Sequence, residues 1–461
     1  MIMIGLDIGT TSISGLLYDL ETRTVLHTIT EEQTSKPSSR NHEWERLQEP
    51  GIILQQAERI LGLLLSREPE AAGIGLTGQM HGILYIDQSG NPLGPLYTWQ
   101  DGRGGQPCVE DSSYTYAQKL SVLAGYHIAP GYGLATHYYN LQHQLVPGNA
   151  VRFCTIADYI AMRLANSAVP LIDATQAAGI GGFSLQTGDF DQIALIQAGI
   201  DVAILPPVVP SGTAIGATPQ GIPVYTSLGD NQASFLGSVP QPAGSLLLNI
   251  GTGSQLSAWL PEYTPAPSAM EVRPYPGGGV LMVGAALSGG RSYALLEGFI
   301  RQLITAYTGE APADIYSLLA QLLTEEPSGG KNTGLKVNTQ FLGTRAEPGN
   351  RGSIEGITLD NFTPAGLAHA FLQGMIDELY GFLKDLEQQG AKGFTRLIGS
   401  GNALRSNPVL CAKAEAAFGV PLTAGAQTEE AAVGAALCAA VGSGVISSFR
   451  EAGAFLGEFY H

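Results

Sequence analysis

The sequence is short of charge. Only 14% of its 461 residues are Asp, Glu, Lys or Arg, against about a quarter in ordinary soluble proteins. Basic residues are the scarcer kind: 23 Lys and Arg stand against 40 Asp and Glu, a formal net charge of −17. Nucleic-acid polymers and anionic membranes call for a basic face, so neither is expected as a partner. A nucleotide is still allowed, because Mg²⁺ and backbone N–H groups can hold phosphates without a basic surface. Cysteine is rare too. Cys108, Cys154, Cys411 and Cys438 are scattered and form no C-x-x-C, which reads as buried free thiols in a reducing compartment. The opening residues MIMIGLDIGT carry no basic n-region and reach a charge at Asp7, unlike a signal peptide. Long apolar runs are missing as well. Ala431–Ser448 is uncharged for 18 residues but is mostly Ala, Gly and Ser. A membrane span needs about 20 strongly apolar residues, so a packed interior helix is the better reading. A soluble, cytoplasmic protein is expected.

Several chemistries are excluded by their missing motifs. The chain has no G-x-x-x-x-G-K-[ST], no H-E-x-x-H, no cysteine cluster for zinc and no G-x-S-x-G. Gly73–Gly78 fits G-x-G-x-x-G, but it overlaps a predicted strand and opens no helix, so it fails as a dinucleotide site. Glycine itself is abundant, with 60 residues, and points to many tight turns and close backbone approaches.

What is present is an internal echo. Ile4–Ser12 reads IGLDIGTTS and Leu246–Ser254 reads LLLNIGTGS, offset by 242 residues. Ile8, Gly9, Thr10 and Ser12 match Ile250, Gly251, Thr252 and Ser254, and Asp7 pairs with Asn249. Each copy is an apolar strand, a Gly-Thr turn and a second strand, Ile13–Tyr18 or Gln255–Leu260, which predicts two β-hairpins. The chain therefore reads as two related α/β halves, 1–240 and 245–461, joined at Ser238–Gly244. Helices are predicted at Glu49–Arg67, Ile156–Leu164, Leu287–Tyr307, Pro364–Gln388 and Glu429–Val441. Strands are predicted at Ala72–Thr77, Ile83–Ile86 and Phe394–Ile398.

The chemistry must then come from Gly/Thr/Ser turns and single carboxylates. Asp7 ends a strand and is followed by a turn whose N–H groups and hydroxyls can wrap phosphate oxygens. Its carboxylate suits Mg²⁺, bound through water. The second turn offers another cradle, and the two are expected to grip one polyphosphate across a cleft. Asp230, in Leu228-Gly229-Asp230-Asn231-Gln232, could accept a proton from an attacking hydroxyl; by itself the segment reads better as a helix N-cap aspartate. His81, beside Met80, reads by itself as a structural histidine. Trp99-Gln100-Asp101-Gly102-Arg103 mixes an aromatic, an amide, an acid and a base, as a polyol site would, or as a surface turn with an Asp–Arg pair would.

Taken in order, DIGTTS, TGQMHG, TWQDGR, GDNQ, IGTGS and GSGNALRSN resemble the FGGY carbohydrate kinases, and the resemblance runs over nearly the whole chain. It implies two ribonuclease-H-like domains of the actin/hexokinase/heat-shock-70 superfamily, an α/β fold with ATP in the cleft between them. It also implies roles by position. Asp230 would be the catalytic base, and Asp7 the Mg²⁺ ligand. Thr10, Thr11 and Ser12 would face the phosphates together with Gly251 and Thr252. Gly289 and Gly290 would lie near the ribose, and Gly399, Gly401 and Asn402 near the adenosine. Met80, His81, Trp99, Asp101 and Tyr132 would line the sugar pocket with Asp230.

Within the family, Gln79-Met80-His81-Gly82 resembles xylulokinases and sedoheptulokinases. Trp99–Arg103, Gly131–Thr136 and Ile172–Ala178 lean toward sedoheptulokinases. The expected activity is ATP-dependent phosphorylation of the terminal hydroxyl of a ketose, sedoheptulose giving its 7-phosphate. D-xylulose is the alternative substrate. A non-catalytic sugar- and ATP-binding protein on the same fold is the rival from another class. The partner is a small ketose, with a homodimer left open.

Overall fold

The computed structural model describes residues 1–35, 42–267, 269–324, 334–344, 347, 349–425 and 428–460. Two compact units emerge. The first holds Met1–Pro240, Pro274–Gly279 and Glu429–Gly457; the second holds Gln241–Arg273, Val280–Thr428 and Glu458–His461. The break after Pro240 falls inside the expected linker. Residues Glu429–Gly457, read from the sequence as part of the second half, group with the first unit.

In the first unit, β1 (Ile2–Ile8) turns back through residues 9–11 into β2 (Ser12–Asp19), which pairs with β3 (Thr24–Glu32), all antiparallel. Helix α1 (Pro50–Arg67) starts on a proline, whose fixed φ suits a first helical position. It buries Ile53, Ala57, Ile60, Leu61 and Leu64, one apolar stripe at helical spacing. Gly15 on β2 leaves room for that stripe: a Cβ there would lie 2.6 Å from Ile60 and 2.9 Å from Leu64. On the other side of β1, β4 (Ile74–Gly78) runs parallel to it. The helix α2 (Ala174–Ile180) follows, capped by the Asp173 side chain. Then β5 (Pro223–Tyr225) and the two-residue β6 (Leu228–Gly229) both pair with β4 in parallel, and β6 leads directly into α3 (Asp230–Ser238). Sheet order is Ala214–Ala217, β5, β4, β1, β2, β3.

The second unit repeats this plan. β7 (Ser245–Ile250) and β8 (Ser254–Leu260) form an antiparallel hairpin, and β8 pairs antiparallel with β9 (Val280–Ala286). α4 (Gly289–Thr308) follows β9, and α5 (Pro364–Gln388) carries the main apolar stripe, including Phe371, Met375, Leu379 and Phe382. Thr363 caps α5 by accepting from the Gly366 N–H at 3.0 Å, with Pro364 at the first position. β10 (Arg396–Ser400) runs parallel to β7, and β11 (Leu422–Gly425) parallel to β10. The echo in the sequence is thus a repeat in topology: two antiparallel pairings and then two parallel ones in each unit. The hairpins differ in one respect. Ile8 faces Ile13, leaving four residues in the loop, whereas Ile250 faces Ser254, leaving three.

The remaining helix, α6 (Glu430–Gly442), belongs to the first unit. Residues Ala432–Ala440 are all buried, as befits a helix apolar on every side. Among the described residues no helix is long and apolar enough to cross a membrane. α6 packs by direct backbone approach. A Cβ on Gly5 of β1 would lie 1.9 Å from the Ala432 carbonyl oxygen, and one on Gly75 of β4 would lie 1.8 Å from that of Ala435. Against α3, a Cβ on Gly237 would meet the Glu430 oxygen at 1.9 Å, and one on Gly434 the Ala233 oxygen at 1.9 Å. Two of the glycines in the rejected G-x-G-x-x-G are explained in the same way: Gly75 admits α6, and Gly78 sits against Ile8. Of the cysteines, Cys108, Cys154 and Cys438 are buried and Cys411 is half-buried, all as free thiols.

Gly434→Ala should therefore destabilise the protein by about 1–3 kcal/mol or more, the cost of overpacking. Gly62→Ala on the exposed face of α1, where a Cβ meets nothing within 4 Å, should stabilise it by about 0.5–1 kcal/mol. Denaturant midpoints of both variants check this; equal midpoints would show that α6 does not depend on the close approach.

Candidate active site

The three parallel strands β1, β4 and β6 end together. Ile8 is in register with Gly78, and Gly78 with Gly229. Ligands in open α/β sheets gather at the carboxyl ends of strands, and here those ends bring Asp7, Gln79-Met80-His81 and Asp230 into one place. Asp7 is half-buried, and its Oδ1 has no hydrogen-bond partner among the described residues. Burial pushes its carboxyl up to about 7, helped by the Asp230 and Glu429 carboxylates. Asp230 is exposed at the first position of α3. It is not an N-cap: Gly229 holds that place and makes no side-chain cap bond.

The turn after β1 is braced from several sides. Gln48 Nε2 donates to the Thr10 carbonyl at 3.0 Å, and Gln79 Nε2 donates to Gln48 Oε1 at 2.9 Å. Trp99 Nε1 donates to Thr10 Oγ1 at 3.0 Å while the Trp99 ring remains nearly half exposed. The Thr11 carbonyl accepts from the Gln33 N–H at 2.8 Å. Thr10, Thr11 and Ser12 are thus a fixed polar turn beside Asp7. Gln48 and Gln79 have no counterpart among the expected site residues. Gln79 stands next to Met80 in sequence and could have been suspected, whereas nothing local marks Gln48.

His81 has φ = +72°, a conformation that costs a non-glycine residue energy and concentrates at functional sites. Its Nδ1 lies 2.6 Å from the Gly179 carbonyl oxygen, so that nitrogen carries the proton and donates. The ring stacks on Tyr132 with centroids 4.6 Å apart and planes at 7°. Met80 is buried under Gly229, where a Cβ would come within 2.8 Å of its sulfur. Met80, His81, Tyr132 and Asp230 are therefore brought together, and Trp99 joins them through Thr10.

Asp101 is corrected. It was expected to read a sugar hydroxyl, but it is only 1% exposed and both oxygens are occupied. Oδ1 accepts from Arg103 N at 3.2 Å and Arg103 Nε at 2.6 Å; Oδ2 accepts from Arg46 N at 3.0 Å and Arg103 Nη2 at 3.3 Å. A carboxylate has about four acceptor positions, and all are used. The Arg103 guanidinium in turn lies 4.0 Å from the Tyr97 ring centroid. The pair anchors the Trp99 segment from behind.

In the second unit the predicted nucleotide residues collect at the ends of β7 and β10. The N-terminus of α4 folds onto the second turn: Gly290 N donates to the Gly251 carbonyl at 3.0 Å and Arg291 N to that of Thr252 at 3.1 Å. Gly289 (φ = +36°) has no room for a side chain, since a Cβ would lie 2.1 Å from Gly253. Gly401 (φ = +88°) turns the chain from β10 toward Asn402, with a virtual Cβ 2.5 Å from the Ile250 oxygen. Gly399 differs: it faces inward, against Leu404 and Leu422, and is a packing position.

No group of three His, Cys, Asp or Glu among the described residues could cage a metal. Mg²⁺ keeps most of its waters and takes one or two carboxylates plus phosphate oxygens. The orphaned Asp7 Oδ1, in a field of two further acids, is the fitting donor.

Comparison with known proteins also breaks the chain near Pro240. Residues 2–237 match the model of the FGGY family of carbohydrate kinases, N-terminal domain, and residues 246–443 match that of its C-terminal domain. The human sedoheptulokinase is 29% identical over 95% of this chain and 96% of its own length. A glycerol kinase of Alkalilimnicola ehrlichii is 27% identical over 95% of this chain and 89% of its own. The crystal structure of xylulose kinase from Rhodospirillum rubrum superposes with a TM-score of 0.84 at 24% identity, covering 100% of this chain and 94% of that one. The names of these relatives differ in substrate, and with both of its halves matched the chain belongs to the FGGY family of carbohydrate kinases.

Proposed function

We propose that this carbohydrate kinase transfers the γ-phosphoryl group of ATP to the terminal hydroxyl of a ketose, with sedoheptulose as substrate and sedoheptulose 7-phosphate as product. The observation that carries the reading is the convergence of Asp7, Asp230 and the His81–Tyr132 stack at the ends of β1, β4 and β6. Asp230 takes the proton of the attacking hydroxyl as general base. It stands exposed at the first position of α3, at the ends of the strands where the substrate is placed. The fixed Thr10–Ser12 turn contacts the phosphates in the first unit. In the second, Gly251, Thr252, Gly289 and Gly290 serve the phosphates and ribose, and Gly401 and Asn402 the adenosine. Asp7, with its orphaned Oδ1, would hold Mg²⁺. When bound, that ion neutralises charge on the phosphate oxygens. Phosphoryl transfer needs mainly positioning and charge stabilisation from the protein, which suits a site of braced turns and few ionisable groups.

The sugar lies along the Trp99 ring, His81 and Tyr132, with ring faces toward its C–H groups and polar edges toward its hydroxyls. The Gln-Met-His and Trp-Gln-Asp-Gly-Arg segments, with the likeness to human sedoheptulokinase, favour the seven-carbon sugar over D-xylulose.

Asp230→Asn keeps the shape and removes the proton acceptor. Turnover should fall about 10²–10⁴-fold, with ATP affinity within a few-fold of the parent; near-normal turnover would remove Asp230 from the role. For the sugar, kcat/KM with sedoheptulose should exceed that with D-xylulose by about ten- to a thousand-fold, from one or two hydrogen bonds lost at about 1–3 kcal/mol each. Equal or better use of xylulose would overturn the substrate. Because the Asp101 oxygens are already taken, Asp101→Asn should lower stability and leave that ratio unchanged.

Asp7 sets a pH dependence. Its folded pKa lies above the unfolded value, so the native state holds an extra proton between about pH 4 and pH 7. This contribution to stability is present at low pH and is lost as pH rises through about 7. Burial raises Asp158 to about 7 and Asp173 to about 6, with the same sign. The denaturant midpoint should therefore fall between pH 5 and pH 8, and less steeply in Asp7→Asn. At pH 8, Mg²⁺ with ATP should raise the midpoint of the parent more than that of Asp7→Asn; equal responses would move the metal elsewhere.

A further inference from the structure

Asp230 follows a two-residue strand that ends in glycine. Such a strand has little ladder to hold it, and glycine is the residue freest to rotate. The position is closely packed, since a Cβ on Gly229 would come within 2.7 Å of Gln232 Oε1 and 2.8 Å of Met80 Sδ. Something else must fix the direction in which the chain leaves toward Asp230.

The peptide unit between Leu228 and Gly229 is held on both edges. Its carbonyl accepts from Thr77 Oγ1 at 2.9 Å and from Gln176 Nε2 at 3.0 Å. Its N–H donates to Thr175 Oγ1 at 2.8 Å. The Thr175 hydroxyl donates to Asp173 Oδ1 at 2.6 Å, which turns its lone pair toward Gly229. Asp173 is fixed in turn by the Gln176 N–H at 3.0 Å and by Ser211 Oγ at 2.6 Å on its other oxygen. Asp173, Thr175 and Gln176 are fully buried, so water cannot replace these bonds. The preceding residues are tied as well: Ser227 Oγ donates to Asp158 Oδ1 at 2.6 Å, and Thr226 Oγ1 accepts from Gly212 N at 3.1 Å. Because the peptide unit is planar, bonds on its two edges fix its orientation and hence the path into α3.

We infer that Thr175 and Gln176 are positioning residues for Asp230, clamping the Leu228–Gly229 peptide so that the carboxylate meets the sugar hydroxyl. This rests on Asp230 being the base. Displacements of about 1 Å can cost about 10²-fold in rate.

The test measures kcat and KM with MgATP and whichever of sedoheptulose and D-xylulose gives the higher kcat/KM. Thr175→Val keeps the shape and removes the acceptor. Its kcat should fall about 10- to 100-fold while both KM values stay within about threefold, and Thr175→Ser should restore kcat to within about threefold of the parent. Gln176→Leu, which removes the donor to Leu228, should behave as Thr175→Val does and serves if that variant does not fold. In the Asp230→Asn background, Thr175→Val should cost almost nothing more, since a clamp without a base has nothing to position. The inference fails if a folded Thr175→Val or Gln176→Leu keeps full kcat, or if its loss adds fully to that of Asp230→Asn. If Asp230→Asn itself keeps turnover, the base assignment fails instead, and the two failures are told apart.

Discussion

Everything in the first unit depends on backbone touching backbone. Helix Glu430–Gly442 lies against β1 at Gly5, against β4 at Gly75 and against the Asp230 helix at Gly237 and Gly434. At each point a methyl group would be too large. Contacts of that kind leave little freedom, because carbonyl oxygens cannot move aside as side chains do. They set the ends of β1 and β4 and the start of α3 relative to one another, and Asp7, His81 and Asp230 stand at those ends. The high glycine content is thus tied to the chemistry: it lets the elements carrying the acids come close.

Much of this was legible from residues, and the limits have physical causes. The two hairpins could be read because a Gly-Thr turn between apolar strands is a local signal. Pro364–Gln388 could be bounded because its cap, its first-turn proline and its apolar stripe are all local as well. The Glu430–Gly442 helix was legible as a buried helix, but not by its location: apolar on all sides, it shows no preferred face. Asp101 misled because an acid in a polar, aromatic stretch looks the same whether it meets a sugar or an arginine. Its fourth acceptor position is filled by the amide of Arg46, 55 residues away. The braces at Gln48 and Gln176 were invisible for the same reason, since each acts on a peptide far along the chain.

The two halves also show how a repeat can lose its symmetry where chemistry differs. The first hairpin keeps Asp7 and a four-residue loop; the second has Asn249 and a three-residue loop. An amide in place of the acid removes one negative charge from the second turn. The shorter loop is instead closed by the N-terminus of α4, through Gly290 and Arg291. One copy keeps an acid at the strand end, and the other is braced by a helix N-terminus.

The return of Glu429–Gly457 to the first unit has a consequence for synthesis. The first unit's own strands are complete by Pro240, but their inner face stays uncovered until residues 430–442 have left the ribosome. At roughly 5–20 residues per second the intervening stretch of about 190 residues takes about 10–40 s. During that interval the nascent chain carries an open apolar sheet notched at Gly5 and Gly75, a surface for chaperones or for aggregation. The enzyme's first half is therefore among the last parts of the molecule to finish folding, and any truncation before residue 430 removes a buried helix from a unit that begins at residue 1.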